Sequence, residues 1–82
     1  MILRIISPAE VLFEGEVQAV TLPGTLGAFT VLRNHASLIS SLSAGNVSYT
    51  QKESSDEEDR QKIAISGGIV VVEDNVISVC VD

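Results

Sequence analysis

Few residues of this chain have the chemistry for catalysis. His35 is its one histidine and Cys80 its one cysteine, and there is no tryptophan. Ser37 lies two positions beyond His35, so the pair could be imagined as nucleophile and base. Such a pair also needs an orienting third group and an oxyanion hole, and no motif here arranges them. His35 reads instead as a histidine at a strand end, its ring bonded to backbone or to a partner. A single His and a single Cys far apart do not make a metal site. Cys80 alternates with Val79 and Val81 and reads as a small hydrophobe. No catalytic residue, metal site or cofactor is expected.

Two other segments invite a chemical reading. Residues 53–59 hold five of the eleven acids. They lack the alternating Asp/Asn pattern and central Gly of a calcium loop, so a solvated hairpin tip is the simpler reading. Gly24-Thr25-Leu26-Gly27 superficially resembles a phosphate cradle. It lacks the Lys and the following helix of a P-loop, so its glycines are expected to serve a tight turn. Ser66-Gly67-Gly68 reads as a corner between strands. Leu22 to Phe29 is apolar and interrupted by turn residues, which points to a protein partner for that loop.

The elements that carry these residues are short strands. Ile2–Ile6 is closed by Ser7-Pro8. From Phe13 to Leu22 one strand is expected, with Phe13, Gly15, Val17, Ala19 and Thr21 on one face and Glu14, Glu16 and Gln18 on the other. Val20 and Leu22 then make the outward face apolar at its far end. Ala28–Leu32 is a further strand, and Leu38–Leu42 is either a strand or a helical turn. Val47–Gln51 and Lys62–Ser66 alternate. Ile69–Val72 and Val76–Val81 form a hairpin joined by Glu73-Asp74-Asn75. The sum is an all-β domain over residues 1–82: a flattened sandwich or barrel of about ten short strands in two sheets.

Composition bounds the rest. The 82 residues make one domain, 45% hydrophobic and 20% charged, with a formal charge of −6. Outside 53–59 the balance is five bases against six acids, or −1. An acidic chain is a poor partner for nucleic acid or anionic lipid. A lone Cys excludes an internal disulfide and fits a reducing compartment. Met1-Ile2-Leu3-Arg4 has no signal-peptide pattern, and no apolar run nears the roughly 20 residues that span a bilayer. The expectation is a soluble intracellular protein.

The order of motifs adds a resemblance. Leu12-Phe13-Glu14-Gly15-Glu16-Val17 precedes Val20-Thr21-Leu22-Pro23-Gly24. Gly27, Phe29, Val31-Leu32, Asn34-His35-Ala36 and Leu38-Ile39 follow. Ser66-Gly67-Gly68 then leads to Val70-Val71-Val72 and a closing Val-Ile-Ser-Val strand. Over the whole chain this closely resembles the amino-terminal β-sandwich of the epsilon subunit family of F-type ATP synthases, called delta in mitochondria. The resemblance implies a non-catalytic rotor subunit in the central stalk, coupling proton flow to ATP synthesis. It implies the gamma subunit and the c ring as partners, with no small-molecule substrate. It implies a peripheral location, through the complex, on the cytoplasmic face of the bacterial inner membrane. By position it makes Gly24, Thr25, Leu26, Gly27, Ala28 and Phe29 the c-ring contact, and Ser7, His35 and Ser40 the gamma contact.

The chain departs from the family at several points. Thr30 stands where relatives often have Gly, Arg33 and Ser37 where they commonly have Pro, and Ala28 where they are often polar or acidic. The sequence given closes with the sandwich, so no carboxy-terminal helical hairpin is expected in it. It is expected to support coupling without inhibiting hydrolysis through such an extension and without binding ATP. Two alternatives come from other classes: a free-standing β-sandwich that binds a ligand, and a weak hydrolase that depends on His35.

Overall fold

The computed structural model describes residues 1–52 and 59–82. They form nine strands and no α-helix. These are β1 (Ile2–Ile6), β2 (Val11–Glu16), β3 (Ala19–Gly24), β4 (Gly27–Leu32), β5 (Leu38–Leu42), β6 (Gly45–Thr50), β7 (Arg60–Ile65), β8 (Gly68–Glu73) and β9 (Val76–Val81). The acidic segment falls largely at 53–58, outside the described residues, so its expected hairpin tip is not described.

The strands lie in two layers. The first has the order β2-β1-β9-β8-β5, with β1 and β9 parallel and the other pairs antiparallel. The second has β4-β3-β6-β7, all antiparallel. One bridged pair, Gly24 with Leu42, joins β3 to β5, so hydrogen bonding runs through both layers as one curled sheet. The described strands thus number nine, close to the ten expected.

The core follows from alternation. Leu3, Ile5, Val70, Val72, Ile77 and Val79 point inward from the first layer; Val20, Leu22, Val31, Val47 and Tyr49 meet them from the second. Phe13 sits inward as expected and is half buried. Its ring lies 4.3 Å from that of Tyr49 at 37°, so an aromatic pair ties β2 to β6.

One expectation needs correction. Phe13 to Leu22 is two strands, and Val20 and Leu22 are buried while Ala19 and Thr21 are half exposed. The break is at Val17-Gln18. The Val17 N–H donates to the Met1 carbonyl (2.9 Å), still in the first layer, whereas the Gln18 N–H donates to Thr50 in the second (2.8 Å). The chain changes layers there, and what faced out begins to face in. Leu38–Leu42 proves to be a strand, held by five pairs to β8.

Two turns show local chemistry at work. Glu73 pairs with Val76, so the β8–β9 loop is Asp74-Asn75 alone, with φ of 51° and 61°. Both central residues with positive φ make the turn that fits strand twist, and Asp and Asn tolerate it best. Gly68 has φ +153°, and a Cβ there would collide with the Cys80 carbonyl and crowd Val81. Only glycine lets β8 leave the corner at Ser66-Gly67 this close to β9.

Candidate functional site

The residues singled out by sequence occupy two surfaces. The first is the tip of the β3–β4 hairpin. Gly24 pairs with Gly27, leaving Thr25-Leu26 as a two-residue loop. Gly27 has φ +134°, a conformation that side chains resist. A Cβ on Gly24 would lie 2.7 Å from the Gly27 carbonyl and 2.9 Å from the Phe29 ring. Thr25, Leu26, Gly27 and Ala28 face solvent, with Leu26 fully exposed at 104%. Gly24 is buried, and Phe29 is half buried against the core. The six residues thus divide into a presented tip and the two that shape it.

The tip is tied to β5. The Thr25 N–H donates to the Ser41 carbonyl (3.1 Å), and the Thr25 and Ser41 hydroxyls bond each other at 2.8 Å. Ser43 donates twice to the Pro23 carbonyl, from its N–H (2.8 Å) and its hydroxyl (3.2 Å).

The second surface is the outer face of the first layer. Register puts Ile39, Val71, Ser78, Arg4 and Glu14 in one row and Ser41, Ile69, Cys80 and Ile6 in the next. Ile39 is 76% exposed and Ile69 52%. A shallow groove of about 340 Å³ runs between Ser37-Leu38-Ile39 and Val71-Val72-Glu73. A second, of about 220 Å³, adjoins it at Val71, Glu73, Asp74, Val76 and Ser78. The floor is apolar and one end carries two carboxylates. Cys80 is exposed on this face rather than packed inside.

The residues expected at a gamma contact border this face without clustering. His35 lies in the exposed β4–β5 loop, and its Nδ1 donates to the Ala36 carbonyl (2.7 Å). That bond goes to the neighbouring backbone and not to a carboxylate, so the ring is not set up as a catalytic base. The loop is fixed by Asn34, at φ 63°. Its N–H donates to the Asn75 side-chain oxygen (2.6 Å), and the Asn75 amide donates back to the Asn34 side chain (2.9 Å). Ser7 is at the opposite end of the layer, where its hydroxyl exchanges bonds of 3.2 Å with Glu10. Ser40 pairs with the buried Val70 and is half buried, while its neighbours Ile39 and Ser41 face out.

Sequence reasoning missed Ile39, Ile69 and Val71. A signal was present in Ile69-Val70-Val71-Val72: four apolar residues in succession give a strand with both faces apolar. Among the described residues no three His, Cys, Asp or Glu side chains gather as metal ligands. No helix among them is long and apolar enough to cross a membrane. Burial raises the Tyr49 pKa above its usual value.

Residues 1–82 match the family described as ATP synthase, Delta/Epsilon chain, beta-sandwich domain. The chain belongs to this family. Among similar delta/epsilon-family proteins, the ATP synthase epsilon chain of Campylobacter jejuni subsp. doylei is 40% identical over 77 residues, covering 94% of this chain and 57% of that protein. The epsilon chain of Leptospira borgpetersenii is 36% identical over 78 residues, covering 95% and 58%. The chain therefore spans under two thirds of the length of these relatives. In structure it is similar to a chain of the Euglena gracilis mitochondrial ATP synthase assembly of OSCP, F1 and c-ring, with a TM-score of 0.82, 25% identity and coverage of 99% and 49%. It shares its fold with a chain of the Tetrahymena thermophila mitochondrial ATP synthase central stalk and c-ring, at a TM-score of 0.79, 15% identity and coverage of 99% and 62%.

Proposed function

We propose that this chain serves as the β-sandwich of a non-catalytic central-stalk subunit in a rotary, proton-translocating ATP synthase. The outer face of β5, β8 and β9 binds the gamma subunit, and the β3–β4 tip meets the c ring, so that proton flow and ATP synthesis stay coupled. The location that follows is peripheral, at the cytoplasmic face of a bacterial inner membrane, held there by the complex. The observation that carries this reading is the apolar outer face, with Ile39 and Ile69 more than half exposed on the first layer in a member of this family. Such a face is a binding surface by its chemistry. Leu26, exposed on a hairpin tied to that layer, supplies a second contact point.

The test is reconstitution. The chain is added to an ATP synthase depleted of its own epsilon chain, and ATP-driven proton pumping is measured per ATP hydrolysed. Restored pumping is expected, and so is its loss with Ile39→Asp, which puts a charge in a desolvated contact. A chain that neither binds the depleted enzyme nor alters its pumping would overturn the reading.

A further inference from the structure

The hairpin tip poses a mechanical problem. β4 has β3 as its partner strand, and Leu26 at the tip is surrounded by solvent. Phe29 packs on the core below, but no apolar contact steadies Leu26 itself. A hairpin end held only by its own ladder bends and frays readily. Yet the two layers share a bridged backbone pair at this end, Gly24 with Leu42. The links from Thr25 to Ser41 and from Ser43 to Pro23 flank that pair. β5 then runs from Leu42 to Leu38 beside β8, with Ile39 on the outer face.

We propose that Thr25 and Ser41 are positioning residues, whose paired hydroxyls and shared backbone bond clamp the hairpin tip to β5. A push on Leu26 then enters the first layer along β5, instead of being absorbed by bending between β3 and β4. This rests on the reading that the tip meets the ring and the outer face meets gamma. The β-branched Thr25 suits the task, since its hydroxyl has few χ1 positions to search. Both residues are exposed and outside the core, so their hydroxyls can be removed without opening a cavity.

The experiment compares the double variant Thr25→Val with Ser41→Ala, the conservative Thr25→Ser, and Leu26→Asp. Each is read by melting temperature, by amide exchange at Thr25 and by proton pumping per ATP in the epsilon-depleted enzyme. In the double variant, Thr25 N–H exchange should quicken about fivefold, the amount that one net hydrogen bond protects. Its melting temperature should fall by less than about 4 °C, while pumping per ATP drops. Thr25→Ser keeps a hydroxyl and should restore both readouts. If the double variant pumps like wild type while Leu26→Asp does not, the clamp is refuted and the ring contact stands. If Leu26→Asp also pumps like wild type, the ring contact itself fails and the clamp's role fails with it. Unchanged exchange at Thr25 would refute the clamp by itself.

Discussion

The two layers share one core but present opposite outer faces. The first layer shows solvent Ile39, Ile69, Val71 and Cys80. The matching row across the second runs Thr30, Thr21, Ser48 and Lys62, with the two threonine hydroxyls bonded at 2.9 Å. Leu32, at the β4 edge, is an exposed large hydrophobe of the second layer. Inward residues are alike in both layers, as packing requires. Outward residues are free of that demand, so the two faces can differ: polar across the second layer, apolar across the first, the kind of patch that binding surfaces show.

The largest expected effect tests whether the apolar layer depends on its corner. Gly68→Ala forces a side chain into the Cys80 carbonyl at a positive φ. Strain and overpacking together should cost about 3–5 kcal/mol, seen as a collapse of the thermal transition. Gly27→Ala, in the second layer, has an unfavourable φ but open space around it, and should cost only about 1–2 kcal/mol. Equal losses would show that crowding at Gly68 does not matter.

Next comes the aromatic pair that spans the layers. Phe13→Ala removes a half-buried ring stacked on Tyr49 and should cost about 2–4 kcal/mol, measured by urea unfolding. Near-normal stability would mean that β2 has its faces reversed.

The faces themselves are compared by Ile39→Asp and Thr30→Asp. Each is exposed, so each should change stability by about 0.5 kcal/mol or less. On the proposed gamma contact, binding to gamma should fall about thirtyfold or more for Ile39→Asp and should hold for Thr30→Asp. A similar loss from both would erase the distinction between the faces.

The smallest effect is in pH. Burial raises the Tyr49 pKa in the folded chain, so the neutral phenol is favoured there. Below the unfolded value, about 10, the folded and unfolded chains are protonated alike and this contribution is fully present. As pH climbs past 10 the unfolded chain loses its proton first, and stability declines. Tyr49→Phe should remove that decline from the alkaline end of a denaturation series.

Much of this was legible in the sequence, for identifiable reasons. Strand positions showed because Val, Ile and Leu alternate with polar residues, and the β8–β9 turn because Asp74-Asn75 tolerate left-handed backbone. The step at Val17-Gln18 was not legible. Val17 and Val20 are both buried, and alternation by itself does not mark where a strand leaves one layer for the other. The chemistry of the tip was half legible: its glycines announced a turn, but the partners of Thr25 lie sixteen residues on, at Ser41. The outer face was not legible because a strand apolar on both faces, as Ile69-Val70-Val71-Val72 is, looks the same whether or not its second face is packed.

The parallel pairing of β1 with β9 has a consequence for how the domain comes into being. β9 is the last of the nine described strands, yet it stands in the middle of the first layer, with β1 on one side and β8 on the other. On a ribosome, the earlier strands emerge with a gap where Ile77 and Val79 belong, and β1 must wait for its neighbour. The second layer can pair as it appears, since β3, β4 and β6 follow closely. Closing a gap between strands some seventy residues apart is slow compared with forming a hairpin. Until it closes, the apolar residues that β9 covers stay open to solvent, and the incomplete layer is prone to stick to other chains.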